Sequence, residues 1–192
     1  SAADESATDE LQKAITAGTY NGHAYVDLGL SVKWATCNVG SDDVDQDGGY
    51  YRWGAVITYY EGEKYAKEDV LKDITGDADY DAATANWGGA WRMPTSVEQQ
   101  ELIDNCTWTW TTQNGVNGYK GTGPNGNSIF LPAAGGIYGG TLNNAGSIGY
   151  YWSSSLYEEA SFRANEVWLD LDGVRLTCDL RQGGQSVRPV CQ

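Results

Sequence analysis

The sequence predicts an α+β domain built from short antiparallel strands, two or three short helices and long loops. Its 192 residues include 25 Gly, 13 Tyr and 8 Trp but only 2 Phe and 1 Met, a composition typical of strands and turns. Residues 166–180 alternate apolar and polar side chains around Asp172-Gly173, which indicates a hairpin. Thr95 stands three residues before Glu98, the spacing of a capping box at the start of a helix.

The N-terminal residues predict a helical lead-in followed by one domain. Thr8 is a suitable N-cap for a short helix that runs to about Ala17 and ends at Gly18. Residues 1–20 are therefore assigned to the lead-in. No repeat or low-complexity linker divides the remaining sequence, so residues 21–192 are expected to form a single domain.

The next part of the chain predicts strands and one exposed helix. Residues 24–36 alternate in part and are interrupted by Gly29, which indicates two short strands or one bent strand. Residues 50–53 (YYRW) predict a further strand. Between residues 61 and 81, charged side chains surround apolar residues at helical spacing, which predicts a short exposed helix; these are Ala66, Val70 and Ile74.

The capping box predicts a helix from Thr95 to about Asn105. The residues after it are expected to form short strands and loops, with a glycine-rich loop over residues 135–149. Three Asn-Gly dipeptides predict turns, at residues 114–115, 117–118 and 125–126.

The C-terminal hairpin has a register that follows from its expected turn. A two-residue turn at Asp172-Gly173 pairs Leu171 with Val174. The pairing then continues to Glu166 opposite Asp179, apolar against apolar and polar against polar. A slip by one residue would move every apolar side chain to the other face, so the alternation specifies the register strongly.

Trp168 falls on the polar face of this hairpin, between Glu166 and Asp170. An exposed indole flanked by carboxylates and Arg175 is typical of a surface that stacks against a ligand and forms hydrogen bonds with it. Asp170 and Arg175 alone are explained equally by a cross-strand charge pair. In a second interpretation, the domain's own loops cover Trp168 as a small core; the candidates are residues 135–149 and 155–160.

The charge excludes two classes of partner. The chain has 26 acidic and 12 basic residues and a net charge of −14, and most of the excess lies in residues 1–91. Nucleic-acid binding depends on Lys and Arg that neutralise phosphates, so the sequence predicts no nucleic-acid partner. Anionic membrane surfaces are disfavoured for the same reason, and no apolar run is long enough to insert into a bilayer.

The cysteines lack the spacing of a zinc site, because their separations are wide and no Cys-x-x-Cys occurs. Buried thiols and one or two disulfides both remain open. The four residues are Cys37, Cys106, Cys178 and Cys191.

The loop around Asp43, Asp45 and Asp47 matches the first half of a calcium-binding loop, with carboxylates at alternate positions before Gly48. The twelfth position, which holds a bidentate glutamate in an EF-hand, is Gly54. Calcium binding and a hydrated acidic turn are the two interpretations, and no other cofactor is predicted.

The sequence contains no arrangement that predicts an enzyme. His23 is the only histidine, so a Ser-His-Asp triad would have to include it, and it lies in an expected strand where a structural role is the simpler explanation. Carboxylate pairs such as Asp170 and Asp172 lie at an expected hairpin tip, where exposure to solvent gives no desolvation to raise the pKa of a catalytic acid.

Short motifs occur in a defined order along nearly the whole chain from residue 21. They are residues 21–30 (NGHAYVDLGL), 34–40 (WATCNVG), 91–95 (WRMPT), 106–110 (CTWTW), 125–135 (NGNSIFLPAAG), 149–155 (GYYWSSS) and 181–190 (RQGGQSVRPV). In these motifs the chain resembles the major paralogous (FISUMP) domain family.

The resemblance implies a C-type-lectin-like fold in an exported or cell-surface bacterial protein. Similar domains serve as variable receptor proteins of diversity-generating retroelements or lie at the tips of pili. In these relatives the ligand meets the segment between the Trp-Ser-Ser motif and the closing Ser-Val-Arg motif, which is residues 156–182 here. The small, acidic start of the chain, residues 1–10, is also what a mature exported protein is expected to have.

Two motifs depart from relatives of this fold. Calcium-dependent lectins carry a carboxylate or amide before Pro-Asn and a later Trp-Asn-Asp, where this chain has residues 123–125 (GPN) and 168–170 (WLD). Formylglycine-generating enzymes require a reactive cysteine pair, and no such motif surrounds Cys178 or Cys191.

The sequence therefore predicts a non-catalytic ligand-binding module, or adhesin, that recognises a glycan or a protein on a cell, phage or pilus surface through residues 156–182. Diversification by a retroelement is one form of this hypothesis. A structural module of a larger adhesin or pilus tip, and an enzyme related to the formylglycine generators, are the alternatives. The oligomeric state is not specified. The predicted ligand-binding residues are Trp168, Tyr157, Phe162, Glu166, Asp170 and Arg175, with Tyr138 beside them.

Overall fold

The computed structural model describes residues 17–62 and 70–192. Within these residues the chain forms short strands and two helices, α1 (Ala82–Trp87) and α2 (Ser96–Asn105). The strands are β1 (Ala17–Tyr20), β2 (His23–Val26), β3 (Lys33–Ala35), β4 (Thr107–Gln113), β5 (Val116–Thr122), β6 (Ser128–Pro132), β7 (Gly136–Tyr138), β8 (Thr141–Asn143), β9 (Gly149–Leu156), β10 (Arg163–Asp170), β11 (Gly173–Leu180) and β12 (Val190–Cys191).

The strands form four small antiparallel sheets in the described part of the chain. Their strand orders are β1-β2-β3-β12, β11-β10-β9, β4-β5-β6 and β7-β8. The last strand, β12, pairs with β3, so it lies in the same sheet as the first three strands.

The prediction of an α+β fold with two or three helices and a C-type-lectin-like architecture is contradicted. Of the described residues, 40% are in strands and 9% in helix, which is closer to an all-β protein. The composition correctly indicates strands and turns. The helix expected in the charged segment is not seen where that segment is described, at residues 70–81.

The charged segment forms turns where the structure describes it. Residues 63–69 lie outside the description, and residues 70–81 form bends and turns. The Asp77 carboxylate accepts a hydrogen bond from the Asp79 amide, 3.1 Å, and such local side-chain bonds compete with a helix. The Asp81 side chain then accepts from the Thr84 amide, 2.9 Å, and starts α1 at Ala82.

Several other local predictions are confirmed, and three are wrong, one of them the loop expected over residues 135–149, which contains β7 and β8. The capping box of Thr95 and Glu98 is present and starts α2, and β2 and β3 occupy the stretch interrupted by Gly29. Residues 50–53 form no strand, because Tyr51 makes only an isolated bridge to Gln185. The Asn-Gly pair at 117–118 lies inside β5.

The start of the described chain belongs to a sheet. Residues 17–20, assigned to the lead-in, form β1 and pair with β2. The helix expected after Thr8 lies outside the described residues. No described helix combines the length and apolar character that a membrane span requires. All four cysteines carry free thiols, with Cys37 and Cys191 buried.

The β10–β11 hairpin forms, but with a different turn. Leu171 and Asp172 make the turn, so Asp170 pairs with Gly173, Trp168 with Arg175, and Glu166 with Thr177. The cause is local: the Asp170 carboxylate accepts a hydrogen bond from the Asp172 amide at 3.0 Å, an Asx turn. The register moves by two positions, so every side chain keeps its predicted face.

The central sheet β9-β10-β11 has a core on each side. One face contributes Trp152 and Ala164 to a buried cluster. The opposite face contributes Tyr151, Val167 and Leu169 to a second cluster. Solvent therefore reaches this sheet mainly at its ends and along its outer strand.

Candidate functional site

Trp168 lies half-buried near the turn end of β10, and its indole is held by two contacts. The Nε1–H group donates a 2.7 Å hydrogen bond to Asp170 Oδ2. The ring also meets Tyr150 of β9 edge to face, with ring centroids 4.9 Å apart and planes at 82°. This aromatic geometry is favourable beyond simple burial, so the indole has one preferred position.

Asp170 and Arg175 form the charged part of the same site. Two guanidinium nitrogens of Arg175 donate to the two Asp170 oxygens, at 3.1 and 2.8 Å. The Arg175 guanidinium also lies 5.3 Å from the centre of the Trp168 ring, within cation–π range. Hydrogen bonds from Arg175, and a smaller one from the Trp168 indole, hold the pKa of Asp170 well below its usual range.

Tyr138 lies on the same side of the central sheet, further from the turn. Its ring contacts Tyr150 edge to face at 5.8 Å, and its hydroxyl donates to Asp179 Oδ2 at 2.6 Å. Burial and this bond to Asp179 raise the pKa of Tyr138. Tyr138, Tyr150 and Trp168 thus form a continuous row of aromatic rings.

Glu166 lies on the predicted face but is fully buried. Neither of its carboxyl oxygens forms a well-aligned hydrogen bond among the described residues, although the Gln185 side chain lies close enough to offset part of the rise in its pKa. Burial, followed by the nearby Asp179 carboxylate, raises the pKa of Glu166 to about 8. Burial therefore favours the neutral acid, and it keeps Glu166 from contacting a ligand at the surface.

Tyr157 and Phe162 lie at the opposite end of the sheet, in the β9–β10 connection. Phe162 is 48% exposed, and the Tyr157 hydroxyl donates to Glu159 Oε2 at 3.0 Å. Phe162 precedes β10 and lies six residue steps from Trp168, roughly 20 Å at about 3.3 Å per step. These two aromatic residues cannot contact the same small ligand as Trp168.

The structure thus divides the predicted site residues into groups. Trp168, Asp170 and Arg175 come together, while Tyr138 lies further along the same face. Two supporting residues were not among the predicted site residues. Tyr150 packs against Trp168, and Asp179 accepts a hydrogen bond from Tyr138. Tyr150 carried a usable signal, because it alternates with Trp152 in the strand that precedes the hairpin.

Comparison of the chain with protein-family models, curated proteins and solved structures found no match. The resemblance to the FISUMP family therefore remains a hypothesis based on the sequence motifs. The function is accordingly inferred from the geometry of the Trp168 site.

The acidic loop does not bring its three carboxylates together. Asp43 accepts a hydrogen bond from Gln46, Asp45 accepts one from Asn114, and Asp47 lies 3.4 Å from the Tyr50 hydroxyl. Among the described residues, no three His, Cys, Asp or Glu side chains are placed to hold a metal ion.

A cleft of about 400 Å³ lies beside this loop, away from Trp168; it is lined by Asp45, Gln46, Asp47, Gly115, Val116, Asn117, Ala133 and Gly146.

His23 packs among aromatic side chains. Its imidazole stacks on Trp87 with ring centroids 3.8 Å apart and planes within 5°, and it meets Trp91 edge-on at 6.4 Å. Burial lowers the pKa of His23. These contacts give the histidine a packing role far along the chain from the hairpin.

Proposed function

We propose that this chain is a non-catalytic ligand-binding module that recognises a glycan or a protein surface through the turn end of the β10–β11 hairpin. The observation that carries the proposal is the fixed, half-exposed indole of Trp168. The site is narrower than residues 156–182. It comprises Trp168, Asp170 and Arg175, supported by Tyr150.

The arrangement supports binding because its members are held in place before a ligand arrives. The indole is fixed by Asp170 and Tyr150, and Arg175 is fixed by the same carboxylate. A fixed side chain loses little rotamer freedom on association, so more of the contact energy is available as affinity. Trp and Arg are also among the residues that contribute most to protein interfaces.

Exposure of the charged pair supports the same function. The Arg175 side chain is 47% exposed and the Asp170 side chain 19%. Solvent therefore reaches both the remaining N–H groups of Arg175 and the accessible part of the Trp168 ring. A sugar ring or a flat protein surface presents matching apolar faces and hydrogen-bond acceptors.

The cellular setting belongs to the proposal as well. The motif resemblance supports an exported or cell-surface bacterial protein, with a partner on a cell, phage or pilus surface. Diversification by a retroelement would place variable residues around the hairpin turn. Related copies that vary mainly at Phe162 and Tyr157 instead would count against this site.

The test is a glycan array and a surface-protein binding screen with the wild type, Trp168→Ala and Phe162→Ala. The Trp168→Ala variant is expected to lose binding by about tenfold or more, as is typical of a central aromatic contact. Phe162→Ala is the matched control, because it removes an exposed aromatic ring from the far end of the sheet. Unchanged binding by a folded Trp168→Ala variant would reject the site.

A further inference from the structure

Among the described residues, β4 is an edge strand whose outer side pairs with no other strand. It pairs with β5 over its full length, from Thr107 opposite Thr122 to Gln113 opposite Val116. The sheet order β4-β5-β6 leaves its other side without a strand, and no described residue forms a main-chain hydrogen bond with that side. A free edge of seven residues is a template for another strand.

The hairpin turn determines which main-chain groups are free. Asn114 and Gly115 form a two-residue turn with positive φ angles of 47° and 82°. In such a hairpin the flanking residues, here Gln113 and Val116, form a hydrogen-bonded pair, and the bonded pairs then alternate. The N–H and C=O groups that point away from β5 are therefore those of Trp108, Trp110 and Thr112.

In the described part of the chain, this edge lacks the features that usually prevent pairing between molecules. Its sequence, TWTWTTQ, contains no charge and no proline, and its pairing with β5 shows no bulge. Soluble proteins usually protect a long edge strand with lysine, proline, a bulge or a covering segment. Thr107, Thr109 and Thr112 are exposed, and Trp108 and Trp110 are half-buried.

The strand is complementary to itself in the antiparallel direction. A two-fold axis at Trp110 places the free main-chain groups of Trp110 opposite those of Trp110 in the second copy. The same axis places Trp108 of each copy opposite Thr112 of the other. About six main-chain hydrogen bonds result from these three pairs. The intervening pair sets Thr109 against Thr111, and aromatic–threonine and threonine–threonine pairs stabilise neighbouring strands.

Charge also favours this strand over the rest of the surface as a contact between copies. Two chains of net charge −14 repel each other, and an uncharged strip reduces the repulsion at the point of contact. An interface around a two-fold axis requires one self-complementary patch, and β4 supplies one.

We propose that two copies of this chain form a symmetric dimer by antiparallel pairing of their β4 strands, which joins two three-stranded sheets into one six-stranded sheet. Each copy would present its own Trp168 site. Two linked sites increase avidity toward a repetitive surface without any new ligand contact. The dimer is independent of the proposed ligand.

The test compares Thr112→Pro with Thr112→Val by light scattering after size-exclusion chromatography across the micromolar range. Both variants remove the bond from the Thr112 hydroxyl to Asn117, but only proline removes the outward N–H. The wild type and Thr112→Val are expected to reach twice 20.8 kDa, and Thr112→Pro is expected to remain at 20.8 kDa.

Amide hydrogen exchange locates the interface. The amides of Trp108, Trp110 and Thr112 are expected to exchange more slowly at high than at low protein concentration, while those of β6 stay unchanged. A wild type that remains monomeric at every concentration overturns the proposal. A Thr112→Pro variant that dimerises as tightly as Thr112→Val also overturns it.

Discussion

The indole nitrogen of Trp168 donates a 2.7 Å hydrogen bond to the carboxylate of Asp170, two residues further along the same strand face. The same carboxylate binds the Arg175 guanidinium and accepts the Asp172 amide that closes the hairpin turn. One side chain therefore determines the turn, the position of the cation and the orientation of the indole.

Replacing Asp170 with asparagine should weaken the site without unfolding the domain. Asparagine keeps an oxygen that can accept the Asp172 amide. It has no negative charge and only one acceptor oxygen, so it cannot accept the two Arg175 bonds and the indole bond together. We expect the free energy of unfolding to fall by only about 1 kcal/mol, because the pair is partly exposed. Ligand affinity should fall more strongly, since two contact residues lose their fixed positions.

Asp170→Ala is the harsher comparison, because it also removes the acceptor for the turn amide. Its stability, measured by urea unfolding, should fall below that of Asp170→Asn. If the two variants lose equal stability and equal affinity, the Asx turn has no effect on the site. Asp172→Asn is the control, since that carboxylate forms none of these bonds.

Glu166 should make the domain less stable as the pH rises. Its pKa is 4.5 ordinarily and about 8 in the fold, so the folded protein holds a proton that the unfolded chain releases between these values. Ionisation then favours unfolding, and stability falls by up to about 1.4 kcal/mol per pH unit from pH 4.5 to 8. The wild type is therefore expected to be more stable at pH 5 than at pH 8.

The variant Glu166→Gln isolates this contribution, because glutamine stays neutral throughout. Urea unfolding at several pH values should show a smaller decline for Glu166→Gln than for the wild type. The difference between the two curves cancels the titration of the other groups. Parallel curves would mean that Glu166 ionises in the fold as it does in water.

The strand faces were predictable from the sequence, whereas the burial of Glu166 was not. Alternation alone places Trp168, Asp170 and Glu166 on one face, whatever the turn. The groups that act on the buried Glu166 are Asp179 and Gln185, and Gln185 is held by backbone bonds to the distant Tyr51. These contacts join distant parts of the chain, and local patterns contain no information about them.

The extent of the site was also beyond local pattern. Residues 156–182 form one segment of sequence, but Phe162 lies just before the start of β10 and Trp168 lies near its other end. The predicted turn position was wrong for a different reason. Asp172-Gly173 is a favoured turn pair, but the Asp170 side chain accepts the Asp172 amide and stabilises a turn one residue earlier. Both alternatives satisfy the same apolar pattern.

The capping box of α2 should have a measurable effect on stability. The Glu98 amide donates to Thr95 Oγ1 at 3.2 Å, and the Thr95 amide donates to Glu98 Oε2 at 2.8 Å. Thr95→Ala should lower the free energy of unfolding by about 1 kcal/mol. Thr95→Ser retains the hydroxyl and should stay near the wild type in urea unfolding. Equal loss in both variants would assign the effect to the lost methyl group.

Replacing Gly118 in β5 with any larger residue should destabilise the domain, although the sequence predicted a turn there. A Cβ atom at this position would overlap the Leu131 carbonyl oxygen of β6 and the Phe130 ring. Gly118→Ala should therefore lower the free energy of unfolding by about 1–3 kcal/mol, the usual cost of overpacking.

Gly115→Asn in the neighbouring turn is the matched comparison for Gly118→Ala. Gly115 has a φ of +82° and open space around it, and asparagine tolerates that conformation better than other side chains. Its loss in thermal or urea unfolding should be the smaller of the two. If Gly118→Ala is the milder change, β5 and β6 separate more easily than their pairing implies.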